Sequence, residues 1–403
     1  MSYGASRTHS SVPVLEVCMG CNFPNHAFYT GYTLEDTGGK AYRICGGDVE
    51  FIHKPIADIV PNEVISKKRL YSERPGTYYE DIYIRDYVEI PCRKCIGCRL
   101  KIAKDWANRC LLEAKCWEHN YFITLTYSNE YLPINKENGL TTLNPDDIMN
   151  FLKRLRIHWE RKHNWNNDII WENDKVGTEI ISGDNPGIRF YGCGEYGSKT
   201  HRPHYHILAF NLPIFDLEYL KITELGDTLY YSEEIAKIWG KGHVWIGEVN
   251  WNTACYVSRY IMKKQIGKDA TELYEWMGED QEFQRMSLKP GIGWFYYYRH
   301  KDEIYRYDEI LIKKRAKKIK FDKFLDGNIQ TKVESIKPPK YFDKCYDMED
   351  HEFMETLKKA RKQSAKASQE ISMMKTTKNR NDYLEQKENR LKHSIRMLPR
   401  EME

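Results

Sequence analysis

The chain has 403 residues, with 62 Lys and Arg against 58 Asp and Glu and a formal net charge of +4. This balance excludes a general electrostatic attraction to nucleic acid, so any such surface must be local. No apolar stretch approaches the roughly 18 to 20 residues of a membrane span, and Met1-Ser2-Tyr3-Gly4-Ala5 lacks the charged and apolar regions of a signal peptide.

The hydrophobic fraction of 41%, with 29 tyrosines, can fill a sizeable core in one large domain with extensions or in two domains. Eleven cysteines in a chain without an export signal point to thiols and metal thiolates rather than disulfides, and to the cytoplasm. Residues 1–90 are rich in Gly, Pro and Tyr and show no long helical period. Cys18 and Cys21 lie there, and Cys92, Cys95 and Cys98 follow as a C-x2-C-x2-C array. One early cysteine plus these three would complete a tetrahedral thiolate site; Cys21 is the first choice, Cys18 the second. Zinc is favoured over an iron–sulfur cluster on the same ligands.

From Leu100 onward, Ala103, Trp106, Ala107, Cys110, Leu111, Ala114 and Trp117 recur at helical spacing. The run 121–127 (Tyr-Phe-Ile-Thr-Leu-Thr-Tyr) is β-branched and aromatic, a buried strand. Asn144-Pro145 caps and starts a helix, whose apolar face is Ile148, Phe151, Leu152, Leu155 and Trp159. The segments 188–193 and 203–210 read as two strands of a hairpin. A short helix is expected over 230–239 and a strand over 242–249. Asn252 or Thr253 then caps a helix that carries Tyr256 and Tyr260.

The core therefore reads α, β, α, β, β, α, β, α. That is an α+β fold, with an antiparallel sheet of about five strands and helices on one face, in a ferredoxin-like or RNA-recognition-type layout. The expected organisation is a loop-rich arm with zinc-binding cysteines over 1–98, a catalytic core over 99–300, a basic extension packing on it over 301–345, and a charged helical or partly disordered tail over 346–403.

Side chains alternate faces along a strand, so His204 and His206 point the same way one pleat apart. With Glu195 brought to the same end by the Gly-rich link, they make a facial site for a divalent cation with open positions. A metal on phosphodiester oxygens relieves their repulsion of a nucleophile. Tyr256 and Tyr260, at i and i+4, share a helix face about 6 Å apart. One phenol can attack a DNA phosphate while the other waits for a second transfer, and Lys263, or failing that Lys264, can bind the phosphate or stabilise phenolate. The candidate DNA contacts are Arg202, Arg259, Lys264, Lys313, Lys314 and Arg315; the last three open a run with six basic residues in the eight of 313–320.

Several motifs in series carry a resemblance over roughly residues 90 to 345. They are Cys92-Arg93-Lys94-Cys95-Ile96-Gly97-Cys98, the strand at 122–127, Cys193-Gly194-Glu195-Tyr196-Gly197 and Arg202-Pro203-His204-Tyr205-His206. Tyr256-Val257-Ser258-Arg259-Tyr260, Ser287-Leu288-Lys289-Pro290-Gly291-Ile292-Gly293 and Pro339-Lys340-Tyr341-Phe342-Asp343 extend them. In these the sequence resembles the replication initiation proteins of microviruses, particularly the gokushovirus group, in the His-hydrophobe-His (HUH) endonuclease superfamily. The resemblance implies His204 and His206 as ligands with Glu195 as the third, Tyr256 and Tyr260 as nucleophiles, and Mg2+ or Mn2+ as the ion. It implies nicking of a phage origin, rolling-circle copying from the freed 3′-hydroxyl and rejoining by the second tyrosine. Origin DNA, host helicase and host polymerase would be the partners, in the cytoplasm of the infected bacterium.

Other readings stay open. A plasmid initiator, relaxase or transposase would use the same chemistry, but no helicase motif follows here. A small-substrate metallohydrolase would want an aspartate where Leu208 stands. A non-catalytic nucleic-acid module would leave the histidine, glutamate and tyrosine constellation unexplained.

Overall fold

The computed structural model describes residues 21, 25–33, 40–45, 64–69, 79–83, 87–163, 187–197, 200–223, 227–259, 274, 278–315, 331–374 and 380–396. In chain order these begin with β1 (Asn25–Thr33), β2 (Lys40–Cys45), β3 (Val64–Arg69), β4 (Tyr79–Tyr83), β5 (Tyr87–Ile90), α1 (Ile96–Ala114), β6 (Asn120–Thr126) and α2 (Pro145–His163). Next come β7 (Arg189–Tyr196), β8 (Pro203–Phe210), β9 (Glu218–Ile222), β10 (Thr228–Tyr231), α3 (Glu233–Trp239), β11 (Val244–Glu248) and α4 (Trp251–Ser258). The chain continues with β12 (Phe283–Met286), α5 (Trp294–Tyr307), β13 (Ile310–Arg315), β14 (Thr331–Ile336), α6 (Lys340–Glu349), α7 (His351–Met374) and α8 (Arg380–Arg396). No described helix is long and apolar enough to cross a membrane.

Two compact units divide the chain, one built from Met1–Arg99 with Glu352–Arg396 and the other centred on Leu100–His351. In the first, β2, β1 and β5 pair as a small antiparallel sheet and β3 pairs with β4. The charged tail residues form α7 and α8.

The second unit is organised by an antiparallel sheet which, among the described residues, has seven strands in the order β12-β7-β8-β6-β11-β10-β9. At its centre β6, α2, β7, β8, α3 and β11 form a βαββαβ unit. Its strands lie β7-β8-β6-β11, so the split layout expected from the sequence is present. The strand count of about five is corrected to seven, because β9 and β10 extend one edge and β12 the other. The expectation of helices on one face is also corrected. Ile148, Phe151, Leu152, Leu155 and Trp159 of α2 and Ile235 and Trp239 of α3 pack on Ile123, Leu125, Tyr205, Ile207 and Ile246. On the opposite face Ala107 and Cys110 of α1, Ala254, Tyr256 and Val257 of α4 and Phe295 of α5 pack on Phe122, Tyr191, Cys193, Leu208 and Phe210. Consistent with cover on both faces, every residue of β7 and β8 is buried.

Local chemistry fixes the elements. The Asn144 side chain accepts from the Asp146 N–H at 3.0 Å, and Asp146 and Asp147 sit in the first turn of α2, where the helix dipole favours them. Residues 228–231, expected as the start of a helix, pair as a strand instead; Ser232 caps α3 by accepting from Ile235 N at 3.1 Å. The cap of α4 is Asn250, in a reciprocal box with Thr253, rather than Asn252 or Thr253 alone. Gly194 is required by close approach, since a Cβ there would lie 2.7 Å from the Phe283 ring on β12.

The loop at 287–293 is held from beneath. Glu113 and Arg189, 0% and 2% exposed, form an ion pair under it. Arg189 also donates to the carbonyls of Pro290 and Gly291, Arg109 donates to that of Ile292, and Glu113 accepts from Gly293 N. Each charge in this buried group has a hydrogen-bonded partner, the condition under which burial of charge is tolerated. The loop motif thus reads as an anchor between the sheet and α5.

Candidate functional site

Strand register assembles the site. Glu195 of β7 stands directly opposite His204 of β8, and His206 stands opposite Cys193 on one side and Thr124 of β6 on the other. Because residues two apart share a face, Glu195, His204 and His206 converge on the surface that α4 covers. Both His204 Nε2 and His206 Nε2 lie 2.9 Å from Glu195 Oε1. All three side chains are buried, and their ligand-capable atoms lie within 4.8 Å of one another.

The outer atoms of both imidazoles are fixed. His204 Nδ1 donates to the Arg202 carbonyl at 3.1 Å, and His206 Nδ1 meets Thr124 Oγ1 at 3.0 Å. A carbonyl can only accept, so His204 carries its proton on Nδ1, and a neutral ring then turns the Nε2 lone pair toward the Glu195 carboxylate. Two imidazole nitrogens and a carboxylate oxygen crowded this way are at rest only when protons or a cation lie between them. That donor set, with oriented outer nitrogens, suits a divalent metal. Burial disfavours ionised Glu195, but hydrogen bonds from His204 and His206 and their charge outweigh it and hold the carboxyl at about 2.

Tyr256 enters from α4. Its hydroxyl donates to the same Glu195 Oε1 at 3.4 Å, and its ring stands edge-on to His206, with centroids 5.0 Å apart. Phe122 stacks on His206 from β6 at 5.4 Å and meets the Tyr256 ring edge-on at 6.2 Å. Phenol, imidazoles and carboxylate are therefore one packed group, able to bring an aromatic hydroxyl and a metal to the same phosphate.

The remaining candidates are distributed differently. Arg259 caps the C-terminus of α4, its guanidinium carbon 6.0 Å from the Tyr256 ring centre. Arg202 donates to Asn129 Oδ1 and to the Tyr127 carbonyl, both at 2.9 Å, so it braces the turn after β6. Tyr260, Lys263 and Lys264 lie outside the described residues, and the side chains of Lys313, Lys314 and Arg315 on β13 do as well. Thr124 escaped the sequence reading. Its signal, a hydroxyl in an otherwise apolar strand, acquires meaning only through pairing with a residue 82 positions away.

A second cluster lies in the other unit. Cys21, Cys92, Cys95 and Cys98 bring their sulfurs within 4.8 Å of one another. The Sγ separations are 3.5 Å from Cys21 to Cys92, 3.7 Å from Cys21 to Cys95 and 4.0 Å from Cys92 to Cys98. Tetrahedral thiolates at about 2.3 Å from one ion stand about 3.8 Å apart, so the spacing fits. The backbone N–H groups of Cys92 and Cys95 point at Sγ of Cys21 and Cys92 at 3.4 and 3.2 Å. Burial pushes the Cys98 thiol up to about 12 and that of Cys21 higher still, so the ionised ligand form needs a cation to compensate.

Residues 120–265 match a family model described as replication-associated protein ORF2, a span that runs from β6 past the tyrosine helix. The chain is 33% identical over 314 residues to the replication-associated protein ORF2 of Spiroplasma virus 4, covering 77% of this chain and 85% of that protein. It is 36% identical over 174 residues to the replication-associated protein VP4 of Bdellovibrio phage phiMH2K, covering 43% and 48% of the two chains. With the replication-associated protein ORF4 of Chlamydia phage 1 the identity is 31% over 183 residues, covering 43% and 38%. No solved structure matches the chain.

Proposed function

This chain belongs to the family of phage replication-associated proteins, and from that premise we propose that it starts replication as a metal-dependent DNA nickase of the HUH type. One observation carries the reading: the Tyr256 hydroxyl and both imidazole Nε2 atoms meet at a single carboxylate oxygen, Glu195 Oε1. Glu195, His204 and His206 would hold Mg2+ or Mn2+, which supplies Lewis-acid charge to a phosphate's oxygens. Glu195 Oε1 holds the phenol proton at rest and so keeps the Tyr256 oxygen beside the ligand group. The phenol oxygen forms the new bond to phosphorus as the bond to the departing 3′-oxygen breaks, giving a 5′-phosphotyrosine and a 3′-hydroxyl primer. Tyr260 accepts the strand in the second transfer that rejoins the copied circle, and Lys263 stabilises phenolate at either residue.

Arg202, Arg259, Lys264, Lys313, Lys314 and Arg315 belong to this proposal as DNA contacts. So do single-stranded or supercoiled origin DNA as substrate, host helicase and polymerase as partners, and the cytoplasm of the infected bacterium as the place of action. The test is to incubate the protein with origin DNA and Mg2+, digest it, and identify the nucleotide-linked peptide by mass spectrometry. The linked residue should be Tyr256 or Tyr260; linkage to any other residue, or no adduct at all, overturns the reading.

The four cysteines complete the proposal as a structural zinc site. Purified protein should carry one zinc per chain, and Cys92→Ser should lose it together with much of the stability of that unit, since structural zinc contributes folding energy directly. Metal analysis and thermal melting of the two proteins check this; equal zinc content in both would remove Cys92 from the site.

A further inference from the structure

One carboxylate near the metal-facing group is buried with an oxygen left over. The side chain of Glu279 is 3% exposed. Its Oε1 meets His201 Nε2 at 2.9 Å, whereas Oε2 is buried and has no hydrogen-bond partner among the described residues. An acceptor in that state is costly unless something supplies a donor. Glu279 lines a cleft of about 350 Å³ with Asn135, Thr142, Tyr274, Asp280 and Gln281. That volume falls in the roughly 300–1,000 Å³ typical of small-ligand sites.

The cleft is built rather than incidental. Asp280 N donates to Thr142 Oγ1 at 2.9 Å, and Asn135 Nδ2 donates to the Gly278 carbonyl at 2.6 Å. Tyr196, the residue after Glu195 on β7, donates its hydroxyl to the Asp280 carbonyl at 2.8 Å. It also stacks its ring on His201 at 4.7 Å. A single residue thus ties the cleft wall to the metal-facing carboxylate.

The chemistry of the lining selects the occupant. Two carboxylates repel a phosphate, which has no proton to donate, and the sugar of a DNA strand offers no hydroxyl within the chain. The N–H donors of DNA belong to its bases, and carboxylates accept from base amino groups. We propose that this cleft takes one unpaired base of the DNA strand, which donates its exocyclic amino group to Glu279 Oε2 against the ring of Tyr274. The base so read lies within a few nucleotides of the phosphate that Tyr256 attacks and gives the nick part of its sequence preference. This inference rests on the reading that the chain acts on DNA.

The experiment selects bound strands from a random single-stranded DNA pool in EDTA, where nothing is cleaved, using full-length wild type and Glu279→Gln. Wild type should enrich bases with an amino group over thymine at one position by about five- to a hundredfold. Glu279→Gln, whose amide can also donate, should erase that enrichment or turn it toward keto bases while other positions keep theirs. If that variant melts early, Glu279→Asp, which withdraws the carboxylate by one methylene, gives the same comparison. A wild type without a position-specific preference, or an unchanged preference in the variant, overturns the proposal. A preference that Glu279→Gln abolishes, in a protein that never nicks when Mg2+ is added, supports the cleft and overturns the nickase reading alone.

Discussion

The double substitution Tyr256→Phe with Tyr260→Phe is expected to lower covalent protein–DNA adduct formation by roughly four orders of magnitude or more, the scale on which removal of a nucleophile acts. The fold should survive it. Phenylalanine keeps the ring that stands edge-on to His206 and Phe122 and is buried with Ala254 and Val257. The Tyr256 hydroxyl makes a hydrogen bond of 3.4 Å to Glu195, at the long end of the range, so its removal should cost at most about 1 kcal/mol. Thermal melting should therefore move little while adduct, counted on denaturing gels with labelled origin DNA, disappears. Either single change should leave some nicking but impair repeated transfer, because the remaining phenol has no second acceptor. A double variant that forms adduct at the wild-type rate would place the nucleophile elsewhere in the chain.

How far such a site can be read in advance depends on whether its partners are local. The histidine strand was legible because alternation needs only neighbouring residues, and its expected bounds, 203–210, coincide with β8. The βαββαβ centre was legible for the same reason: Asn144-Pro145 and the stripe from Ile148 to Trp159 announce α2 without reference to anything distant. The second helical layer left a trace that alternation alone obscured. Ile207-Leu208-Ala209-Phe210 is apolar at every position, as a strand covered on both faces must be. Strands β9 and β12 had no comparable signal, since β9 is exposed at all five residues and β12 has only four, and both exist through the edges they extend. The choice among Asn250, Asn252 and Thr253 as cap was settled by where β11 ends, at Glu248, rather than by residue type. Cys21 could be grouped with Cys92, Cys95 and Cys98 from ligand type and spacing, although its sulfur comes from 71 residues away.

Substitutions at His206 and Thr124 should separate holding a metal from orienting its ligand. His206→Ala removes one of three ligand atoms and is expected to reduce cleavage by about a thousandfold, the several kcal/mol that Lewis-acid stabilisation supplies, with metal affinity falling in parallel. Thr124→Val keeps nearly the same shape on β6 and takes away only the hydroxyl that meets His206 Nδ1 at 3.0 Å. Loss of such an outer hydrogen bond typically lowers metal affinity by about 10- to 100-fold. Calorimetric titration with Mn2+ and cleavage rates across Mn2+ concentration distinguish the two effects. Thr124→Val should shift the dependence to higher metal and recover near the wild-type maximum, because all three ligand atoms remain. His206→Ala should stay slow at saturation, because the phosphate would then meet an ion held by too few groups beside an unchanged Tyr256. Equal Mn2+ affinity in Thr124→Val and wild type would show that packing against Phe122, stacked on the ring at 5.4 Å, orients His206 without the hydroxyl. Full-rate cleavage by His206→Ala with the same metal dependence would detach the reaction from this group of residues altogether.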